Sequence, residues 1–204
     1  MTAMTSCVKG FTTVEYLLIT RHRFSFTILQ SLRLLARCEF AEADLFSIEL
    51  ERNAVVAEGA FVKSKSEKAR IDIFLKLEDR YTHKKTSCCA IELKFFLKKN
   101  HREPNNRYDV FKDLHNLENY GHECDLRYFI VGTDHKHYFS QSYSNARGDF
   151  DFSDRKSYTA GRQLVYKTPK PYDKPLMLSN SYEFKWERFD DKYYFMKLEV
   201  LKRK

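Results

Sequence analysis

Charged side chains interrupt two apolar stretches of this sequence, and their types and spacing fit a chemical role. Asp72 lies between isoleucines within residues 70–74, and Glu92 and Lys94 lie between apolar residues within 90–95. Because successive side chains of a strand point to opposite faces, Glu92 and Lys94 project from the same face. A strand conformation would therefore bring an acid and an amine to one site.

A hard divalent cation is the ligand that these acids predict. If the two stretches are antiparallel neighbours joined by a turn within 78–87, Asp72 lies opposite Glu92 and both reach one ion. Mg²⁺ takes one or two protein carboxylates and completes its shell with water and phosphate oxygens, and Mn²⁺ can substitute for it. We expect the Ile91 carbonyl to add a ligand. Lys94 would orient the attacking water or stabilise negative charge on the phosphate.

The surrounding segments predict one α/β domain with a mixed sheet flanked by helices. Helical spacing of apolar residues predicts one or two amphipathic helices, from Phe26 and from Ala41 to Arg52, and a further helix from Pro104 to Tyr120 that Gly121 would cap. Apolar or alternating runs predict strands at Ala54 to Val62, Ala69 to Leu77, Cys88 to Leu97 and Leu126 to Gly132, and an aromatic strand at Tyr193 to Leu201. The core would span about residues 26–139, and about 140–204 would be an elaboration packed on it.

The element order α-β-β-β-α-β, with an Asp on one strand and Glu-x-Lys on the next, resembles the PD-(D/E)xK superfamily of restriction-endonuclease-like nucleases. The resemblance covers roughly residues 40–138. It implies a restriction-endonuclease-like core and Mg²⁺-dependent phosphodiester hydrolysis, with Asp72 as the first acid, Glu92 as the second and Lys94 as the lysine. The proline that usually precedes the Asp is missing, because Arg70-Ile71 replaces it.

The resemblance also suggests further site residues. Many members of the superfamily use a glutamate from the first helix, for which Glu42 is the best placed candidate and Glu58, on the first predicted strand, is the rival. The helix after the third strand often lends polar side chains to the site. Second-tier candidates there are Arg107, Asp109, Lys112 and Asp113.

Two plainer interpretations compete with this one. A second Glu-x-Lys occurs at 183–185, where no apolar strand with an Asp precedes it, so we expect it to be an exposed aromatic strand or helix. Asp72 and Lys94 could also form an ordinary salt bridge on the polar face of a sheet, which contributes about 0 to 1 kcal/mol. The joint occurrence of the Asp strand, the Glu-x-Lys strand, the following helix and the apolar fourth strand favours the nuclease interpretation.

Positive charge is concentrated near the candidate site. The chain has a formal net charge of +8, and residues 61–112 carry 14 Lys and Arg against 7 Asp and Glu. Such a segment attracts polyanions, above all nucleic acid. The candidates for nucleic-acid contacts are Lys63, Lys65, Lys68, Arg70, Lys98, Lys99, Arg102, Arg107 and Lys112.

Other features bound the function class. The 5 cysteines form an odd set without a CxxC pair, which indicates reduced thiols in a cytoplasmic protein and disfavours a zinc site. No stretch approaches the ~20 apolar residues of a membrane span, so no membrane partner is expected. We therefore expect a Mg²⁺-dependent endonuclease acting on DNA, of restriction or phage-defence type, and double-strand cleavage would suggest a homodimer. The alternative is a catalytically silent nucleic-acid-binding or assembly subunit with the same fold.

Overall fold

The fold is α/β, with a mixed sheet of six strands and few helices. The structure, a computed structural model, describes residues 30, 44–54, 69–79, 81–100, 102–120, 124–140, 148–166, 175–189 and 191–202. The main sheet contains β1 (Asp44–Ala54), β2 (Ala69–Asp79), β3 (Lys85–Phe96), β4 (Leu126–Thr133), β9 (Trp186–Phe189) and β10 (Tyr193–Glu199). Apart from the single helical residue Gln30, the helices within these described ranges are α1 (Glu103–Asn119) and α2 (Lys136–Ser140), and short 3-10 turns occupy Lys98–Asn100 and Gly148–Phe150. Two small sheets pair β5 (Ser157–Tyr158) with β8 (Tyr182–Glu183) and β6 (Gln163–Leu164) with β7 (Leu176–Met177).

The strand order of the main sheet is β1-β2-β3-β4-β10-β9. β3 and β4 are parallel and α1 lies between them in the chain, whereas the other neighbouring strands are antiparallel. This crossover follows from geometry, because parallel neighbours need a connection long enough to return to the same end of the sheet. As a result the carboxyl ends of β3 and β4 lie at one edge, with Phe96 paired to Thr133.

Buried residues form one hydrophobic cluster on each face of the sheet. The cluster on the α1 face contains Phe74 and Ala90 of the sheet with Phe111 and Leu114 of α1, and it extends to Val200 near the end of the chain. The cluster on the other face contains Ile73, Leu75, Cys89, Ile91, Leu93, Phe95, Leu126, Tyr128, Ile130 and Tyr193. Burial of both faces explains why β4 is apolar at nearly every position and buried along its whole length.

The predicted helix over Ala41 to Arg52 is wrong from Asp44 onward, because Asp44–Ala54 form β1. Phe46, Ile48 and Leu50 alternate with polar residues, so the same apolar residues fit both a helical and an extended period. Pairing with β2 along nearly the whole of both strands selects the extended form. The first predicted strand, Ala54 to Val62, lies outside the described residues except for Ala54, which is the last residue of β1.

The remaining elements of the predicted core are confirmed within a few residues. These are the strands β2, β3 and β4, the turn between β2 and β3, and the helix α1; beyond that core, the aromatic strand predicted at Tyr193 to Leu201 is β10. The helix expected from Phe26 lies outside the described residues except for Gln30, which is helical, and Gly121 is also outside them. β9 and β10 were expected within an elaboration packed on the core, but they extend the main sheet itself.

No helix in the described part of the chain has the length and apolar character required to cross a membrane.

Candidate functional site

The centre of the candidate site is the ammonium group of Lys94 on β3. Its Nζ lies 3.4 Å from Glu92 Oε1 and 2.8 Å from Asp113 Oδ2, a residue of α1. The side chain of Lys94 is 13% exposed and those of Glu92 and Asp113 are 3% and 2% exposed. The alternation of β3 therefore directs Glu92 and Lys94 toward α1, where two buried carboxylates contact one amine.

Asp72 reaches the same segment of β3 from the neighbouring strand. Its Oδ2 accepts a hydrogen bond of 2.9 Å from the backbone N–H of Leu93, the residue between Glu92 and Lys94. The pairing of β2 with β3 ends at Ile73 and Ile91, which are the chain neighbours of Asp72 and Glu92. The carboxylate thus supplies an acceptor to β3 at the point where the paired register ends.

The side chains on either side of Asp72 belong to different hydrophobic clusters. Ile73 belongs to the cluster on the far face, so simple alternation would place Ile71 there too, yet Ile71 belongs to the cluster on the α1 face. The β1 residue Glu51, between the paired Leu50 and Arg52, has a positive φ of 49°. Asp72 therefore lies where the side-chain alternation of β2 is interrupted and where the neighbouring strand β1 has a residue with positive φ. Such local irregularities in strands often change the direction of a side chain.

Asp113 lies on the buried stripe of α1. Val110, Leu114 and Leu117 are fully buried, and Asp113 falls at the i+3 position from Val110, within the same stripe. A carboxylate on an apolar stripe needs a charged or hydrogen-bonding partner, and Lys94 provides it. Sequence reasoning ranked Asp113 below the β3 residues; the signal that could have raised its rank is its helical spacing.

Asp109 lies one helical turn before Asp113 and feels the same charges. Burial, followed by the negative charge of Asp113, raises the pKa of the Asp109 carboxyl above its ordinary value. The positive charges of Lys94, Lys112 and Arg102 act in the opposite direction. Arg102 and Lys112, both expected to contact nucleic acid, are therefore near enough to Asp109 for their charges to act on its carboxyl group.

Carboxylate oxygens are the donors that the site offers to a metal ion. Hard cations such as Mg²⁺ prefer oxygen ligands, so Asp72 and Glu92 fit Mg²⁺ by their chemistry. Among the residues that the structure describes, no group of three or more His, Cys, Asp and Glu side chains is arranged to hold a metal ion. Ile91 pairs with Ile73 on one side and with Tyr128 on the other. Any protein ligand set within the described residues would therefore be small and completed by water or phosphate.

The residues expected to contact nucleic acid have different surroundings. Arg70 is exposed and lies 3.2 Å from Glu51 Oε2, whereas Lys98, Lys99 and Arg102 are exposed just after the end of β3. Lys112 is half-buried on α1. The predicted site residues Glu42, Glu58, Lys63, Lys65 and Lys68 lie outside the described residues.

Arg107 does not lie at the surface. It is 1% exposed, its Nη2 donates to the His137 carbonyl at 2.9 Å, and its Nη1 lies 3.5 Å from Asp151. Its guanidinium also lies 5.4 Å from the ring centroid of Tyr138 and 5.1 Å from that of Phe152. In this structure Arg107 stabilises the loop after β4 and has no surface to offer a phosphate, which corrects the expectation that it contacts nucleic acid.

The second Glu-x-Lys has a different environment from the first. Lys185 Nζ lies 2.8 Å from Glu183 Oε2, with side chains 73% and 56% exposed, and the intervening Phe184 is buried. Glu183 ends β8, so the prediction of an exposed aromatic strand is confirmed for that residue. The two copies share a sequence pattern and an ion pair; they differ in burial, and only the first copy has a second carboxylate, that of Asp113 on α1, in contact with its lysine.

The chain matches no protein-family model, no curated protein and no solved structure.

Proposed function

We propose that this protein is a Mg²⁺-dependent endonuclease that hydrolyses DNA phosphodiester bonds, of restriction or phage-defence type. The observation that carries the proposal is the contact of Lys94 with both Glu92 and Asp113 in a mostly buried setting. An ordinary surface salt bridge would be exposed and involve one acid. A buried amine between two carboxylates, with a third acid on the neighbouring strand, is the kind of charge cluster that active sites often contain.

The resemblance of the sequence to the PD-(D/E)xK superfamily supports the same function. The order of elements from β1 to β4 follows the β-β-β-α-β part of that core, and Asp72, Glu92 and Lys94 occupy β2 and β3 as its motif requires. Fold alone does not determine function, so the proposal depends on the chemistry of these three side chains.

Hydrolysis forms a P–O bond to a water oxygen, breaks one phosphodiester P–O bond, and transfers a proton to the departing oxygen. Mg²⁺, when bound by Asp72 and Glu92, would act as a Lewis acid toward the phosphate. The Lys94 ammonium would stabilise negative charge that develops on the phosphate oxygens. Asp113 would hold that ammonium in place, because its Oδ2 is the nearer of the two carboxylate contacts.

The test is cleavage of supercoiled plasmid DNA in Mg²⁺, in Mn²⁺ and in EDTA. Asp72→Asn and Glu92→Gln remove charge with little change of shape, and we expect each to lower the rate by about 10² or more. The exposed copy of the motif supplies the matched control: Glu183→Gln should cleave like the unmodified protein. Cleavage that persists in EDTA, or equally in every variant, would contradict the proposal.

Metal binding gives a second readout that does not depend on cleavage. Calorimetric titration with Mn²⁺ should show binding by the unmodified protein and by Glu183→Gln, and weaker binding by Glu92→Gln. Equal binding by all three proteins would place the ion elsewhere. A protein that binds DNA with the usual salt dependence but neither binds Mn²⁺ nor cleaves would be the silent nucleic-acid-binding subunit instead.

Double-strand cleavage would further imply two copies of the site. A chain with one active site cuts both strands in one event most simply as a two-fold dimer. Sedimentation of the protein with and without a DNA duplex measures this, and a monomer on DNA that only nicks would argue against the dimer.

A further inference from the structure

The parallel strands β3 and β4 end side by side, and basic residues follow both ends. The hydroxyl of Thr133, at the end of β4, donates to the Phe96 carbonyl at 2.8 Å, and Asp134 Oδ1 accepts the backbone N–H of Lys98 at 2.6 Å. These bonds join the segment after β3 to the segment after β4. Residues distant in sequence thus form one surface beyond the sheet edge.

This surface, which we call the cationic rim, consists of Lys98, Lys99, His135, Lys136 and His137. The three lysines are exposed, and within the described part of the chain they form no ion pair. The rings of His135 and His137 lie 4.4 Å apart between centroids. Asp134 is the acid of the same loop, and its carboxylate is engaged by the Lys98 backbone.

The segment after β4 that carries three of the five rim residues, and that includes the start of α2, is anchored to α1 and to the end of β4. Arg107 donates to the His137 carbonyl, and the next residue, Tyr138, is 2% exposed and accepts a 2.8 Å hydrogen bond from Asn106 Nδ2 on α1. The backbone N–H of His135 donates to Thr133 Oγ1 at 2.9 Å. The backbone that carries this part of the rim is therefore held in place, which reduces the ordering cost of binding a polyanion.

The rim lies close to the candidate site along the chain. Lys98 follows Lys94 by four residues, a separation of at most roughly 14 Å for an extended chain. Each strand of a DNA duplex carries one phosphate per about 3.4 Å of axis, so this length spans up to about four phosphates. A strand whose scissile phosphate contacts Lys94 would pass the rim within a few nucleotides.

We propose that the cationic rim binds the phosphodiester backbone of a nucleic-acid strand a few nucleotides from the scissile phosphate. This proposal rests on the proposed function and extends it by assigning the loop after β4 to substrate binding. Arg107 acts in it as a positioning residue, since it holds the His137 carbonyl and does not contact the phosphate itself. The contacts would be to phosphates and hence independent of sequence.

The test compares two double variants with equal charge change. Lys98→Ala with Lys136→Ala removes two rim cations; Lys84→Ala with Lys202→Ala removes two exposed cations at the opposite edge of the sheet. Lys84 precedes β3, and Lys202 follows Val200, whose N–H donates to the Arg127 carbonyl near the start of β4. Binding to a labelled duplex and to a labelled single strand is measured by fluorescence anisotropy in EDTA at several salt concentrations.

The rim variant should bind several-fold more weakly, and the slope of log affinity against log salt should become shallower. Loss of two phosphate contacts predicts a change in slope of about 1.8 for a duplex and about 1.4 for a single strand. The control variant should keep the slope of the unmodified protein. Equal slopes for the two variants, or no salt-dependent binding by the unmodified protein, would overturn the proposal.

Cleavage measured in parallel separates this proposal from the proposed function. Plasmid cleavage by the unmodified protein together with unchanged binding by the rim variant would reject the rim and keep hydrolysis. Weakened binding by the rim variant without any cleavage by the unmodified protein would keep the rim and reject hydrolysis.

Discussion

The candidate site depends on the ammonium group of Lys94, because two buried carboxylates contact it. Removing the cation leaves Glu92 and Asp113 buried without that partner, which is costly in a low-dielectric interior. We therefore predict that Lys94→Met lowers the free energy of unfolding by about 3 kcal/mol. Urea denaturation followed by circular dichroism measures it.

A double-mutant cycle identifies the cause of that loss. Asp113→Asn in the Lys94→Met background removes one of the two buried negative charges that Lys94 contacted, and it should recover part of the stability. If the double variant is less stable by the sum of the two single effects, Lys94 and Asp113 do not interact energetically and the ion pair contributes nothing.

Asp109 gives the site a distinct pH dependence. Its pKa is raised, by burial first and by the charge of Asp113 second, so the folded protein holds this proton more tightly than the unfolded chain. Stability from this group is therefore highest below its ordinary pKa of 3.8 and falls as pH rises through the folded value. Asp109→Asn should be more stable than the unmodified protein at pH ~7 and should lose the difference at acid pH.

Urea midpoints at several pH values test this expectation. Asp191→Asn is the matched control, because the Asp191 side chain is fully exposed in the turn between β9 and β10. A stability difference for Asp109→Asn that does not change with pH, or that equals the difference for the control, would contradict the assignment.

At the scale of the elements, the junction of β3, β4 and β10 is tightly packed. A Cβ atom at Gly132 would lie 2.6 Å from Cδ2 of Phe95 on β3 and 2.8 Å from Cε1 of Phe195 on β10. Both contacts are shorter than van der Waals distances, so the rings would have to move. The glycine of β4 thus allows its two neighbouring strands to place aromatic rings over it.

We predict that Gly132→Ala destabilises the protein by about 1–3 kcal/mol through overpacking. Thermal and urea unfolding measure the loss, and Phe95→Leu in the same chain should restore part of it by making room. An unchanged unfolding midpoint for Gly132→Ala would mean that the rings adjust freely and that the junction is not tightly packed.

At the scale of the whole molecule, the carboxylate of Glu118 joins α1 to the C-terminal part of the chain. Glu118 is 1% exposed and accepts hydrogen bonds from the backbone N–H groups of Ser179 at 2.7 Å and Asn180 at 2.9 Å, and from the Tyr182 hydroxyl at 2.8 Å. Burial, followed by the charge of Glu118, raises the pKa of the Tyr182 hydroxyl. One buried acid thus fixes the segment between β7 and β8 against the helix that also carries Asp113.

Glu118→Ala should lower the free energy of unfolding by about 3 kcal/mol or more, because several buried donors lose their acceptor at once. Tyr182→Phe removes one donor and should cost about 1 kcal/mol. Chemical denaturation of both variants provides the comparison. Equal small losses would show that water replaces the carboxylate and that this contact does not stabilise the assembly of α1 with the C-terminal segment.

Local sequence was sufficient to predict much of the central sheet and the face of β3 that carries Glu92 and Lys94. β2, β3, α1 and β4 are signalled by periodicity and by turn and cap residues, which depend on neighbours within a few positions. The same alternation places Glu92 and Lys94 on one face of β3, and the structure has both directed at α1. These properties follow from local backbone geometry, which the residues of each short segment determine by themselves.

Tertiary structure decided the features that depend on distant partners. Residues 44–54 fit two periods, and pairing with β2 selected the strand. The sequence predicts that Arg107 is a surface cation. In the structure it is buried and contacts the His137 carbonyl and Asp151. Asp113 gained its importance only when α1 packed over Lys94. Pairing and burial depend on which segments meet in space, and the periodicity of one segment does not contain that information.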